Sequence, residues 1–236
     1  MSVRTESHPD AAWVEGIKAS LDSWLDETGT WEPTSQITGG GAVRLAEERF
    51  SAMHEHRPAV MVGSGTAGML AALRTVGVGP GSVVMVTEDG WPGTLDVVRA
   101  LGATPVETSL LRRGDYAQAI IVCHNPDAPI DAAALREEVG HVPIIEDCAQ
   151  ALGTTLNGIP VGCLGDLAVF SFGPGKTIDV GEAGMVLTRD HDLMTALVRQ
   201  VCHPMRQVLT GIDDPLAGVI SRPHPLAAIL LAQALR

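Results

Sequence analysis

Apolar positions near the N-terminus recur at helical spacing. Trp13, Ile17, Leu21, Trp24 and Leu25 form one stripe that runs up to Gly29, the pattern of an amphipathic helix. A loop over 30–41 ends in three glycines. Val43, Leu45, Phe50 and Met53 then predict a second helix to about His56. From there the period changes, and short β-rich runs alternate with helical stretches. The pattern predicts strands over 58–62, 82–87, 104–108, 119–123, 142–146, 167–172 and 185–188. Helices are expected over 66–76, 93–101, 131–139, 148–152, 191–201 and 226–235. Most strand runs are continuously apolar, as happens when helices cover both sheet faces. Short connections between alternating elements imply an α/β fold with a mainly parallel, seven-stranded sheet and helices on both faces. Near the end the crossovers shorten, so one strand there is open to an antiparallel direction. The stretch 204–225 is the one long irregular segment. The organisation expected is 1–57 as N-terminal helices and loop, 58–202 as the α/β domain, and 203–236 as linker and terminal helix.

Composition narrows the functions available. The 236 residues are 45% hydrophobic, enough for a sizeable core. Lys and Arg total 16 against 28 acids, a net charge of −12. That balance argues against a protein that binds nucleic acid by neutralising phosphates, and against docking on an anionic membrane. No apolar run approaches the roughly 20 residues of a spanning helix. MSVRTESHPDAAW lacks the apolar centre of a secretory signal, so a cytoplasmic location is expected. Cys123, Cys148, Cys163 and Cys202 form no CxxC pair and are expected as buried free thiols in a reducing compartment. A metal site built on His124 and Cys148 has no recognised ligand spacing, and no metal is expected.

Lysine usage carries more information. Lys occurs only at 18 and 176, while Arg occurs fourteen times. A lysine kept at 176 in the apolar, Gly-rich FSFGPGKTIDVGEAG needs a chemical reason. Lysine can lose its proton and form an imine; arginine cannot. Two further motifs accompany it. GSGTAG, 63–68, follows one predicted strand and opens a helix, which aims backbone N–H groups at an anion. With Glu88 and Asp89 about twenty residues on, it also fits a dinucleotide fingerprint, so an NAD(P)-binding oxidoreductase is an alternative. IIEDCAQALG, 144–153, ends a buried strand on Glu146 and Asp147, where a carboxylate can pair with a cationic ring nitrogen; Asp147 can equally cap a following helix. Ser171 lies five residues before Lys176 and can reach a phosphate. An anion turn, a strand-end acid, a hydroxyl and a lone lysine together are what pyridoxal phosphate (PLP) requires.

These motifs, with SGTAGMLAALRTVGVGPGSVVMV, GATPV, GCLGDLAVFSFGPGK and GEAGMVLT, resemble the DegT/DnrJ/EryC1/StrS family of PLP-dependent sugar aminotransferases. Their order matches from about residue 40 to 200. The resemblance implies the large domain of PLP fold type I over 58–202, with Lys176 carrying the Schiff base and acting as base and then acid. Asp147 would pair with the pyridine nitrogen and Gln150 would reach the phenolic oxygen. Gly65, Thr66 and Ser171 would hold the phosphate, and Trp91 would stack on the ring. The substrates implied are a small-molecule amino donor and a keto-sugar or cyclitol-like carbonyl acceptor, the assembly a homodimer. The same ring-binding set also serves elimination or carbon–carbon bond chemistry. Departures from the family pattern are Ala183 in GEAG for GEGG, Thr177 for a frequent Asn, and Ile220-Ser221-Arg222 for Asn-x-Arg. Family members continue into a smaller C-terminal domain, so an alternative is half of a split enzyme that works with a second chain.

Overall fold

The computed structural model describes residues 11–30, 34–88, 90–108, 116–217 and 221–236. The helices are α1 (Ala11–Thr28), α2 (Ser35–Thr38), α3 (Gly41–Ala52), α4 (Gly65–Thr75), α5 (Pro92–Ala100), α6 (Ala132–Val139), α7 (His191–Val201), α8 (Pro204–Leu209) and α9 (Pro225–Ala234). The strands are β1 (Ala59–Val62), β2 (Val83–Thr87), β3 (Thr104–Thr108), β4 (Ala119–Cys123), β5 (Ile144–Asp147), β6 (Thr155–Leu156), β7 (Ile159–Pro160), β8 (Leu167–Ser171) and β9 (Gly184–Thr188). Seven of them form one sheet in the order β1-β9-β8-β5-β4-β2-β3. β9 runs antiparallel to both β1 and β8, and the remaining pairings are parallel.

Alternation along the strands sends side chains to two covered faces. Val60, Val62, Ile145, Val169 and Val186 pack with α4, α5 and α7. Met61, Ala168, Phe170, Met185 and Leu187 pack on the other face, with Trp24 of α1, Phe50 of α3 and Ala228 of α9. A third cluster joins Met85, Ile120 and Ile144 to Leu135 and Val139 of α6. Phe50 centres the aromatic packing, with its ring 4.9 Å from that of Phe170 and 5.6 Å from that of Phe172, both edge-on. The N-terminal helices and the terminal helix therefore share one core with the sheet.

Besides the one-turn α2 inside the stretch expected as a loop over 30–41, three details differ from the sequence pattern. The helix expected over 148–152 is a series of turns. The Cys148 N–H donates to Val169 O at 2.8 Å, so the chain is still extended where that helix would begin. Second, Asn157 and Gly158, with φ of 52° and 82°, close a hairpin between β6 and β7 that the pattern omits. Asn-Gly is the favoured pair for such a two-residue turn. Third, the irregular stretch after 203 contains α8. Gln207 organises it: its amide donates to Cys202 O and Leu216 O, and its carbonyl accepts from Leu216 N–H. Among the described residues no helix is long and apolar enough to cross a membrane.

Candidate active site

β1, β5 and β8 end at a common cleft of about 300 Å³, completed by the first turn of α5 and the Gly173–Lys176 turn. In open α/β sheets ligands lie at the carboxyl ends of strands. Gly65, Thr66, Trp91, Asp147, Gln150, Ser171 and Lys176, the seven residues singled out in the sequence, all line it.

The turn into α4 is built for an anion. Ser64 caps the helix, its Oγ accepting from Ala67 N–H at 3.0 Å. Gly65 and Thr66 open the first turn, where no carbonyl four residues back lies inside the helix to accept from their N–H groups. Those N–H groups and the helix dipole favour negative charge. Two glycines allow the approach of the neighbouring strands. A Cβ on Gly65 would lie 2.8 Å from Ser171 Cβ, and one on Gly184 would lie 2.5 Å from Ser64 O. Gly63 N–H donates to Ser221 Oγ at 3.1 Å, and Ser221 N–H donates to Val201 O. Ser221, read in the sequence only as a departure from Asn-x-Arg, thus braces the turn from outside the cleft; Ile220 lies outside the described residues.

Glu146 and Asp147 are adjacent, so β5 sends them to opposite faces. Asp147 faces the cleft, half-buried. Its Oδ2 accepts from Thr94 Oγ1 at 2.8 Å and its Oδ1 from Ala149 N–H at 3.2 Å. Glu146 is fully buried on the far side. Its carboxylate accepts from His124 Nε2 at 2.9 Å and from the N–H groups of Gly162, Leu164 and Gly165. Burial pushes its carboxyl up, but the hydrogen bonds from His124, Gly165 and Gly162 outweigh it and leave it below its ordinary value. Of the two acids, only Asp147 is available to a ligand in the cleft.

His124, Glu146 and Cys148 place ligand atoms within 4.8 Å of one another. Their chemistry is not that of a metal centre. His124 Nδ1 accepts from Ile130 N–H, which puts the ring proton on Nε2, aimed at Glu146. Both Glu146 oxygens already face N–H donors, and burial pushes the Cys148 thiol well up.

Lys176 is half-buried at the cleft, on a turn closed by its N–H donating to Gly173 O. Lys18, by contrast, pairs with Glu15 on the surface. Trp91 is 68% exposed although it lines the cleft, which excludes ordinary core packing as its role. Cys123 lies beside the site, and burial, then the Asp147 charge, pushes its thiol up to about 12, so it is protonated near neutral pH. Glu182 and Thr94 also line the cleft and were not singled out in the sequence. Glu182 sat in a motif read as a turn. Thr94 has no signal apart from its place one turn into α5.

The dinucleotide alternative fails on topology. A Rossmann fingerprint needs the strands flanking the glycine turn to lie side by side. Here β1 is at one edge and pairs with β9, while β2 lies between β4 and β3. Glu88 accordingly lines a separate cavity, with Asp131 and Glu138, and Asp89 lies outside the described residues.

Residues 25–110 and 114–222 match the model of the DegT/DnrJ/EryC1/StrS aminotransferase family. The chain belongs to this family. It is 31% identical over 211 residues to the L-glutamine:2-deoxy-scyllo-inosose aminotransferase of Streptomyces fradiae. The match covers 81% of this chain and 49% of that protein, so the chain spans about half the length of this curated relative. An aminotransferase structure from Psychrobacter cryohalolentis superposes with a TM-score of 0.76 at 24% identity, covering 100% of this chain and 63% of the other. NtdA of Bacillus subtilis, solved with bound cofactor PMP, gives a TM-score of 0.76 at 20% identity, covering 100% and 57%. Both share the fold.

Proposed function

We propose that the cleft holds pyridoxal phosphate and that the protein works as an aminotransferase on a carbonyl acceptor. One observation carries this reading: the α4 anion turn, the Asp147 carboxylate and the Lys176 amine converge on one cleft. The cleft fits the group. The space a Cβ would fill at Gly65 is left beside Ser171, so that backbone N–H groups and a hydroxyl face one point. Family membership and the PMP-bound structural neighbour support the same cofactor.

Bound there, pyridoxal phosphate supplies an electron sink for the bond being broken beside the donor nitrogen. The N–H groups of Gly65 and Thr66 and the Ser171 hydroxyl would donate to its phosphate. Asp147 would accept from the protonated ring nitrogen and keep it charged. Gln150 would reach the phenolic oxygen, and Trp91 would cover one ring face. Lys176 Nζ would anchor the aldehyde and, once freed by the donor amine, would move the proton from the donor's Cα to the cofactor, as base and then acid. The Streptomyces relative, named for L-glutamine and 2-deoxy-scyllo-inosose, supports an amino-acid donor and a keto-sugar or cyclitol-like acceptor.

A homodimer, or a second chain against this one, belongs to the same proposal. Met205, Val208 and Leu209 of α8, with Leu216, leave apolar side chains exposed that such a contact would cover. Elimination or carbon–carbon chemistry on the same residues has no observation favouring it.

The test is an absorption spectrum of the purified protein with added PLP, then borohydride reduction and peptide mapping. A visible band and a label on Lys176 are expected, and Lys176→Ala should abolish both. A label retained in that variant, or none in the wild type, overturns the proposal.

A further inference from the structure

The Thr94 hydroxyl donates to Asp147 Oδ2 at 2.8 Å across 53 residues of sequence. We propose that Thr94 is a positioning residue, which holds the Asp147 carboxylate and the Trp91 turn in one fixed relation across the cleft. The inference rests on the PLP reading above and deepens it.

Thr94 is 5% exposed, so its hydroxyl meets almost no water. Its N–H donates to Trp91 O at 2.8 Å, which closes the first turn of α5. One residue therefore ties the segment bearing the exposed indole to the end of β5. Ala149 N–H holds the other carboxylate oxygen, Oδ1. With one donor on each oxygen, rotation of the carboxylate about its own bond is blocked. Each oxygen keeps a second lone pair, free to accept from a ligand in the cleft. Local conformation adds a second constraint. A Cβ on Gly93 would lie 2.6 Å from Trp91 Nε1, so the indole folds back over the turn that Thr94 closes.

A bare carboxylate facing a cleft samples rotamers that point away from a bound ring. Holding it before the ligand arrives removes that ordering cost from binding. A hydrogen bond to a charged group is worth enough to change affinity by about tenfold. A merely structural staple between α5 and β5 would instead act on melting temperature alone.

The experiment is a PLP titration, with the pH dependence of the bound chromophore's absorbance, on wild type, Thr94→Val, Thr94→Ser and Asp147→Asn. Thr94→Val should weaken PLP about tenfold and move the midpoint of the absorbance change. Thr94→Ser should bind within about twofold of wild type. In the Asp147→Asn background, Thr94→Val should add nothing, because its action runs through that carboxylate. Should Thr94→Val not fold, Thr94→Ala takes its place against Thr94→Ser. The proposal is overturned if removal of the hydroxyl leaves affinity and midpoint unchanged. An equal loss in the Asp147→Asn background overturns it as well, as does a serine variant as weak as the valine one. A wild type with no reducible label at Lys176 overturns the PLP reading and this inference together. A labelled wild type with an unaffected valine variant overturns this inference alone.

Discussion

Glu146 carries its charge where there is no solvent, and four donors meet it there: His124 Nε2 and the N–H groups of Gly162, Leu164 and Gly165. Glu146→Gln sets an amide N–H against some of those donors and should cost about 3 kcal/mol or more in a urea melt. The folded-state pKa of Glu146 lies below its ordinary 4.5. Its contribution is therefore fully present above that value and is lost as pH falls through the lowered one. In Glu146→Gln the acid side of the stability–pH curve should flatten below about pH 4.5. An acid limb equally steep in wild type and variant would remove Glu146 as its source. At Gly65, alanine would press a methyl against Ser171 Cβ, 2.8 Å away. Such overpacking costs about 1–3 kcal/mol, and Gly65→Ala should weaken PLP about tenfold or more while the protein still melts cooperatively. The sequence made Gly65, Asp147, Ser171 and Lys176 legible because each sits in a motif whose spacing has a chemical meaning. Thr94, Ser221 and Glu182 carry no such mark. Their significance lies in a partner far along the chain or in a wall of the cleft, which spacing does not encode.

Among elements, α8 is held by charge. Arg206 donates to both Glu47 oxygens, at 2.9 and 2.7 Å, while Met61 N–H donates to Oε1. The pair joins α8 to α3 and to β1, with about a tenth of each side chain exposed. Burial pushes the Glu47 carboxyl up, and the guanidinium pulls against it. Arg206→Ala leaves a buried carboxylate uncompensated and should cost about 3–5 kcal/mol. A loss below about 1 kcal/mol would mean the pair behaves as a surface bridge. The periodic pattern located the seven strands of the main sheet and most helices, since those elements bury whole faces. It failed at 148–152, where CAQAL looks helical. There Cys148 N–H continues the β5–β8 ladder and Ala149 N–H turns to Asp147. Ala151 N–H and Thr154 N–H then donate to carbonyls three residues back, Cys148 O and Ala151 O, so the segment closes as separate turns, and local apolar spacing does not reveal that. It also passed over α8, a short helix fixed by Gln207 and by Arg206 rather than by an apolar stripe.

At the scale of the molecule, strand order decided what the glycine motif could mean. GSGTAG alone is compatible with a dinucleotide site; a β1 that pairs with β9 at one edge of the sheet is not. The exposed Met205, Val208, Leu209 and Leu216 predict self-association or capture of a second chain. Sedimentation should find a species larger than the monomer, and Leu209→Glu should shift it toward monomer. A wild type that sediments as a monomer at every concentration would remove the homodimer, and no second polypeptide on co-purification would remove the other assembly. The antiparallel β9 has a consequence for biosynthesis. β1 leaves the ribosome well before its sheet partner, with Ala59 opposite Leu187. Translation adds about 5–20 residues each second, so several seconds pass in which the β1 edge has no mate. The turn after β1, which would grip the phosphate, is braced later still, by Ser221. Cofactor capture therefore waits for Ser221, 158 residues after Gly63, and the unpaired edge of β1 is the segment that most needs shielding until then.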